Sequence, residues 1–533
     1  MQNQLRFFAV ATFAVTLAGC SVVPNPFSHS ELSEYARDKH ERVDTDQEPV
    51  SGSIDLYEAM ARALKYNLDR HVEVMEELLR DKQLRVAHHG MLPNVLANTA
   101  YFGRDKYSGG TSARIISARQ INRQGNANAG VLPANTSQEL ERQTADLAFS
   151  WNILDFGLSY VRAKQASDQV LIARETRRKV VNRIIENVRA AYWKAVTARR
   201  LIRRLNHLSG RVRHALANAR ALSDKAESSP LAALTYEREL SEIDRELKRL
   251  HADLAVAKTQ LGTLMNIRPG EHFHIVVPHH QIPPEIIRMP VGVMVSIALE
   301  SRSELREVAY RSRINRHEAE AAILEMLPNV TADLTPSFDS NDFLFNNNWV
   351  AWGAKASWNL MKVFSYPARR SEIKARDALL DKRALAVTMA IMTQVHVARV
   401  RLIHARRKHR AAIRYRSVQQ RILYNVRRSH AAGKVSEQTA IREEMNTLVA
   451  RVKLDLAYVD LQTAYANLYA SMGLDPFHDM MASSAQDVKS LSKTLRIGWR
   501  KLGDPMALPG TKTPKSKWTR RRHSLGGPRP VIQ

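Results

Sequence analysis

The sequence predicts a mainly helical α+β chain in which long coiled-coil hairpins are joined to a few membrane-type strands. Three observations carry that prediction. The chain is written twice, each copy holds two stretches of period-two hydrophobicity, and each copy then runs into segments whose apolar residues fall three and four apart.

The N-terminus reads as an address. Arg6 gives a positive start, Phe7 to Ala18 is an apolar run too short to span a bilayer, and small residues lead to Cys20. Residues 1–19 are therefore expected to be a signal peptide. The string Leu17-Ala18-Gly19-Cys20 resembles the bacterial lipobox, whose cysteine is acylated and becomes the new N-terminus. Cys20 is the single cysteine of the chain, so neither a disulfide framework nor a thiolate metal cluster is expected. Ser21 follows it, where an Asp would direct retention at the inner membrane, so the implied destination is the outer membrane. Acyl chains contribute about 0.8 kcal/mol per buried methylene, enough in combination for firm anchoring. Residues 20–53 carry seven acids against three bases from Ser21 onward and read as an acylated flexible linker.

Two copies follow, at about 54–269 and 292–476. Met91-Leu92-Pro93-Asn94-Val95 recurs as Met326-Leu327-Pro328-Asn329-Val330, an offset of 235. Ser150-Trp151-Asn152-Ile153 recurs as Ser357-Trp358-Asn359-Leu360, and Met265 to Pro269 as Met472 to Pro476, both at 207. The shorter offset reflects a longer loop in the first copy, 103–141 against 338–348.

Within each copy the prediction is two strands, at about 93–102 and 144–152, then 328–337 and 349–358. Val95, Ala97, Thr99 and Tyr101 alternate with Asn98 and its neighbours, and Leu147, Phe149 and Trp151 with Asp146, Ala148 and Ser150. The second copy gives Val330, Ala332 and Leu334, then Val350, Trp352, Ala354, Ala356 and Trp358, with Lys355 on the other face. An apolar face with terminal Trp suits a strand between lipid and a polar interior, and about ten residues suit a tilted span. Phe149, Trp151, Trp352 and Trp358 are the expected lipid-facing residues. Four strands cannot close a barrel, and open edges are not tolerated in lipid, so the chain would share its barrel with copies of itself. Two ordinary hairpins on a soluble domain are the alternative.

The helices are the longest elements. Tyr236, Leu240, Ile243, Leu247, Leu250, Leu254, Ala257 and Leu261 alternate by three and four, a coiled-coil seam. Ile184, Val188, Ala191, Ala195, Ala198, Ile202 and Leu205 repeat it in the proline-free segment from Gly157 to Ala221, a helix on the order of 100 Å. Ser229-Pro230 predicts a cap and a first helical position. Gly433 through Ser436 predicts a Gly stop and a Ser start in the second copy. No apolar run reaches the roughly 18–20 residues of a membrane-spanning helix.

Charge and chemistry narrow the function classes. The net charge of +27 comes from 80 Lys+Arg against 53 Asp+Glu. It is unevenly placed: the 477–533 tail carries twelve Lys/Arg against three Asp/Glu, includes Arg520-Arg521-Arg522 and has the composition of a disordered arm. A nucleic-acid partner is not expected of an exported chain. The Pro/His connector 270–291 holds Glu271, His272, His274, His279 and His280, read as surface histidines rather than a metal site. No Gly-rich phosphate loop, nucleophile elbow or His-Glu-x-x-His run occurs, so neither an enzyme nor a cofactor is expected.

A lipobox, a two-fold repeat, strand pairs framed by Leu-Pro-Asn-Val and Ser-Trp-Asn, and very long hairpins together resemble the outer-membrane factors of the TolC family, over about residues 54–476. The resemblance implies a homotrimer with four strands per protomer in a shared transmembrane β-barrel. The helices would form a trimeric α-barrel in the periplasm. It implies a passive conduit from periplasm to exterior, partnered by a periplasmic adaptor and an inner-membrane pump. Carried over by position, the gate or docking tips are Ser223 to Ser228 and Ala432 to Ser436, with Asp224, Lys225, Gly433, Lys434, Ser436 and Glu437 as contacts. Ala226 stands where the matching glycine would be, which weakens docking at the first tip. The strongly basic helices suggest an anion-favouring lumen. An acylated coiled-coil scaffold without a channel is the competing reading.

Overall fold

The long helix expected over roughly Gly157 to Ala221 is present as 72 residues, and a second of equal length follows the strands of the second copy. In the computed structural model, residues 24–43, 45, 47–50, 52–110, 135–224, 230–277, 289–474 and 487–502 are described. The elements run α1 (His29–Arg42), β1 (Ser53–Ile54), α2 (Leu56–Tyr66), α3 (Leu68–His89), β2 (Asn94–Gly103), β3 (Gly109–Gly110), β4 (Asn135–Thr136) and β5 (Glu141–Asn152). Then come α4 (Ile153–Asp224), α5 (Pro230–Leu264) and β6 (His274–Ile275). The second half is α6 (Val291–Ser301), α7 (Ser303–Leu324), β7 (Asn329–Asp339), β8 (Asn348–Ser357), α8 (Leu360–Ala431), α9 (Glu437–Ser471) and α10 (Val488–Leu502).

The helices of the two halves match in length: 11 residues for α2 and α6, 22 for α3 and α7, 72 for α4 and α8, 35 for α5 and α9. Their starting residues differ by the sequence offsets, as Leu56 to Val291 (235) and Ile153 to Leu360 (207) illustrate. Local chemistry fixes the ends. Asp55 accepts from Glu58 N (2.8 Å) to cap α2, and Asn67 accepts from Arg70 N (3.3 Å) to cap α3. Gly473 ends α9 at φ +68, and Asn266, its counterpart at the 207 offset, ends α5 at φ +58. Both close the same double turn, Leu474 N to Tyr469 O (3.2 Å) in one and Ile267 N to Gly262 O (2.9 Å) in the other.

The helices lie side by side. α3 and α5 flank α4 on one side, α7 and α9 on the other, and α7 and α9 in turn touch α8. Of the seam residues named from the sequence, Ile184, Val188, Leu205, Leu240, Leu247 and Leu261 are each 2% exposed or less, while Ile202 and Ile243 are half-buried. Ion pairs cross the layer. Asp168 of α4 accepts from Arg313 Nε of α7 (2.9 and 3.0 Å), Arg200 of α4 donates to Asp455 of α9 (2.9 Å), and Arg174 of α4 to Glu77 of α3 (3.2 Å).

The main core sits beside this layer, where α2, α6, α10 and the parallel β1–β6 pair pack on the middle of α4 and α8 and on the C-terminal half of α9. Arg189 is buried there, donating to Gln462 Oε1 (3.0 Å) with its guanidinium over the Trp499 ring (4.3 Å), and burial lowers its pKa.

Two expectations are corrected. The tail from 477 contains a helix, α10, because Val488, Leu491, Leu495 and Trp499 form one apolar stripe that seats on the core; charge had masked the spacing. The linker contains α1, held by a Ser28–Glu31 capping box, and Gln47 Nε2 ties the segment after it to Asn266 O (2.6 Å). Part of α8 is long and apolar enough, by length and composition alone, to cross a membrane, although the sequence holds no uninterrupted apolar run of that length. The connector supplies β6, and His279 and His280 lie outside the described residues, as do Met1 to Gly19, Cys20 and Arg520 to Arg522.

Candidate membrane sheet and helical tip

The four long strands form one antiparallel sheet in the order β2-β5-β7-β8, with β2 and β8 as its edges. Register puts Val95, Phe149, Leu334 and Trp352 in one row across all four strands. Trp151 lies in a second row of that face with Ala332 and Ala354. Trp358 lies one residue beyond β8, and its Nε1 donates to Met326 O (2.9 Å). Three of the four residues singled out from the sequence, Phe149, Trp151 and Trp352, therefore share one face. Trp352 is 84% exposed on it. The opposite face is more polar, although Leu96, Phe102 and Trp349 also lie on it: Asn94, Ser150, Asp333 and Gly353 form one row, Asn98 donates to Asp146 (2.7 Å), and Lys355 pairs with Thr331. The strands began within three residues of their expected positions. Asn152, the last residue of β5, and Asn359, two residues beyond β8, turn their side chains to the helix that follows, accepting from Leu154 N (3.0 Å) and Met361 N (3.1 Å).

At the far end, α8 stops at Gly433 (φ +70), with Lys434 N donating to Ser429 O and Gly433 N to His430 O (both 2.9 Å). His430 Nδ1 donates to Val435 O (3.0 Å) across the turn. Ser436 accepts from Thr439 N (3.3 Å), starting α9 at Glu437. Gly433, Lys434, Ser436 and Glu437 are thus gathered in one tight turn. Asp224 is the last residue of α4, while Lys225 through Ser229 lie outside the described residues.

Just behind this turn is a clasp that sequence reasoning missed. Glu444 of α9 accepts from Arg427 of α8 (2.5 Å) and from Arg211 of α4. Arg442 of α9 pairs with Glu239 of α5, which also accepts from Gln438 (3.0 Å). Glu437 lies 3.9 Å from Arg211. Each tie joins residues far apart in the chain, so no local pattern reports it. Among the described residues no three His, Cys, Asp or Glu converge as a metal site.

No family model and no curated protein matches the sequence. Solved structures do. The CmeC outer-membrane channel of Campylobacter jejuni is 13% identical, with 89% of this chain and 98% of that chain covered at a TM-score of 0.61. CusC, described for transmembrane channel formation, is 16% identical over 81% of this chain and 96% of its own, TM-score 0.60. The outer-membrane channel OprN is 15% identical over 78% and 89%, TM-score 0.60. The fold of this chain is that of the TolC-type outer-membrane channels.

Proposed function

We propose that this protein is the outer-membrane conduit of a tripartite export system, a homotrimer that carries substrates passively from periplasm to exterior. The observation that carries the reading is the two-faced sheet: a full-width apolar row, Val95 to Trp352, opposite a polar row, Asn94 to Gly353, with free edges at β2 and β8. A sheet with these faces suits lipid on one side and water on the other, and its edges are satisfied only by pairing with further copies. The flank of α8 turned away from α9 calls for the same neighbours, since Met389, Val400, Ile403 and Val418 are exposed along it. The matched helix lengths and offsets support a gene-level duplication of one hairpin unit.

Cys20 is the acyl anchor that follows cleavage of residues 1–19, and the long helices stand in the periplasm. The tips, with Asp224, Lys225, Gly433, Lys434, Ser436 and Glu437, receive a periplasmic adaptor coupled to an inner-membrane pump. The clasp at Glu444 and Glu239 keeps the helices at that end gathered. Electron microscopy of the protein extracted in mild detergent tests the reading. A three-fold tube with a short barrel at one end supports it; a monomer or an irregular filament leaves an acylated coiled-coil scaffold in its place.

A further inference from the structure

The helical layer has two unlike faces. Ile184, Val188 and Tyr192 of α4 and Tyr458, Tyr465 and Tyr469 of α9 pack into the core formed with α2, α6 and α10. Residues two positions on, about 200° around each helix, face the other way. There Glu186 and Lys194 of α4, Asp460 and Asn467 of α9, and Arg401 and Lys408 of α8 line an open cleft of about 840 Å³. A second cleft of about 420 Å³ shares Glu186, Arg401 and Asn467 and adds Lys179 and Arg183.

The charges on this bare face do not balance. Lys408 is paired with Asp460 (2.8 Å), and Glu186 accepts from Asn467 (2.8 Å) rather than from a cation. Lys179, Arg183, Lys194 and Arg401 are exposed and have no ion-pair partner among the described residues. At least four unneutralised cations thus stand against one carboxylate in a stretch of wall about four helical turns long.

The path of the N-terminal segment decides which face is inside. Glu48 accepts from Lys65 Nζ (2.6 Å) and Val488 N (3.3 Å), and Arg62 donates to the carbonyls of Glu48 (2.9 Å) and Pro49 (3.1 Å). The N-terminal segment therefore joins the molecule on the core-bearing face at Glu48 and Pro49. An acyl anchor can reach lipid only from the outside of a tube, so the bare face is the bore.

We infer that the helical bore is an anion-preferring filter and that the exported substrates are organic anions bearing carboxylate or phosphate groups. This rests on the conduit reading above. A narrow passage ringed by three copies of the same unpaired cations concentrates anions and repels cations, most strongly at low ionic strength.

The test is the reversal potential of the full-length protein in a planar bilayer under a KCl gradient at low salt. Wild type is compared with the Lys179→Gln/Arg183→Gln/Lys194→Gln/Arg401→Gln variant. All four side chains are exposed, so the variant should keep the oligomeric state of the wild type. The expected wild-type reversal potential lies on the chloride side and shifts toward zero in the variant. Arg199→Gln/Arg203→Gln, in a cleft that Val277 lines on the core-bearing side, should leave it unchanged. Cation preference in the wild type, or a shift produced by the Arg199/Arg203 variant instead, overturns the inference and leaves the conduit standing. Absence of conductance steps in both the wild type and the clasp-loosened Glu444→Gln protein overturns the conduit reading itself.

Discussion

Leu334 and Thr335 are neighbours in the middle of β7, yet the register sends them to opposite faces. Leu334 lies between Phe149 and Trp352, whereas Thr335 pairs with Ala351 on the face that carries Asp333, Asp146 and Lys355. Placing one arginine at each position asks which face meets lipid. Leu334 is the sixth of eleven strand residues, so it falls near the middle of the span. An arginine at mid-depth on a lipid face costs about 2–4 kcal/mol per strand, falling to about 0–1 near the interfaces. In an assembly built from several copies the cost recurs in each one. Leu334→Arg is expected to abolish the detergent-resistant oligomer and its recovery in the outer-membrane fraction. Thr335→Arg, which points its charge into water, should leave both near wild type. Because a one-residue shift inverts every side chain, the pair is a sharp test. Equal tolerance of both substitutions, or greater damage from Thr335→Arg, would refute the assignment of the apolar face to lipid.

Four further outcomes are expected. Gly473→Ala should destabilise by roughly 2–5 kcal/mol, because its Cβ would meet Ser301 C and Arg302 N at 2.9 Å in a left-handed conformation, whereas Gly433→Ala, with nothing within 4 Å, should cost only roughly 1–2 kcal/mol; thermal denaturation followed by circular dichroism ranks them. His409 is buried and burial lowers its pKa from 6.5, so the unfolded chain binds more protons below that pH and stability should fall as pH drops through the region below 6.5; His409→Gln should flatten that dependence in denaturant titrations. Cys20→Ser should yield a chain without acyl mass in mass spectrometry while the sheet still inserts, and an acylated Cys20→Ser protein would refute the anchor assignment. Val400→Asp, on the exposed flank of α8, should shift native gels from oligomer to monomer, and an unchanged oligomer would show that this flank is not an interface.

Much of the fold was legible because its elements obey simple periods. The strands were found through alternation bounded by Pro93 and Pro328, and the register then required only that Phe149, Leu334 and Trp352 keep one face. The heptad seam was legible for the same reason, since Leu240, Leu247 and Leu261 have no other way to leave water. The helix α10 was missed although Val488, Leu491, Leu495 and Trp499 are spaced by three and four, because twelve basic residues from 477 onward outweighed one short stripe. The tip turn was legible from Gly433 and Ser436, whose roles are local. The clasp behind it was not. Glu444 meets Arg211 across 233 residues, and in a chain with so many arginines no sequence pattern distinguishes that guanidinium from its neighbours. The same excess makes the wall informative. Where a carboxylate is within reach the arginines cross-link helices, as Arg313 does to Asp168 and Arg200 to Asp455. On the bare face Lys179, Arg183, Lys194 and Arg401 are left without one. Cations kept together at a cost in mutual repulsion, with no stabilising partner in the fold, are what the proposed anion-preferring bore calls for, and the four-fold Gln variant tests whether they serve it.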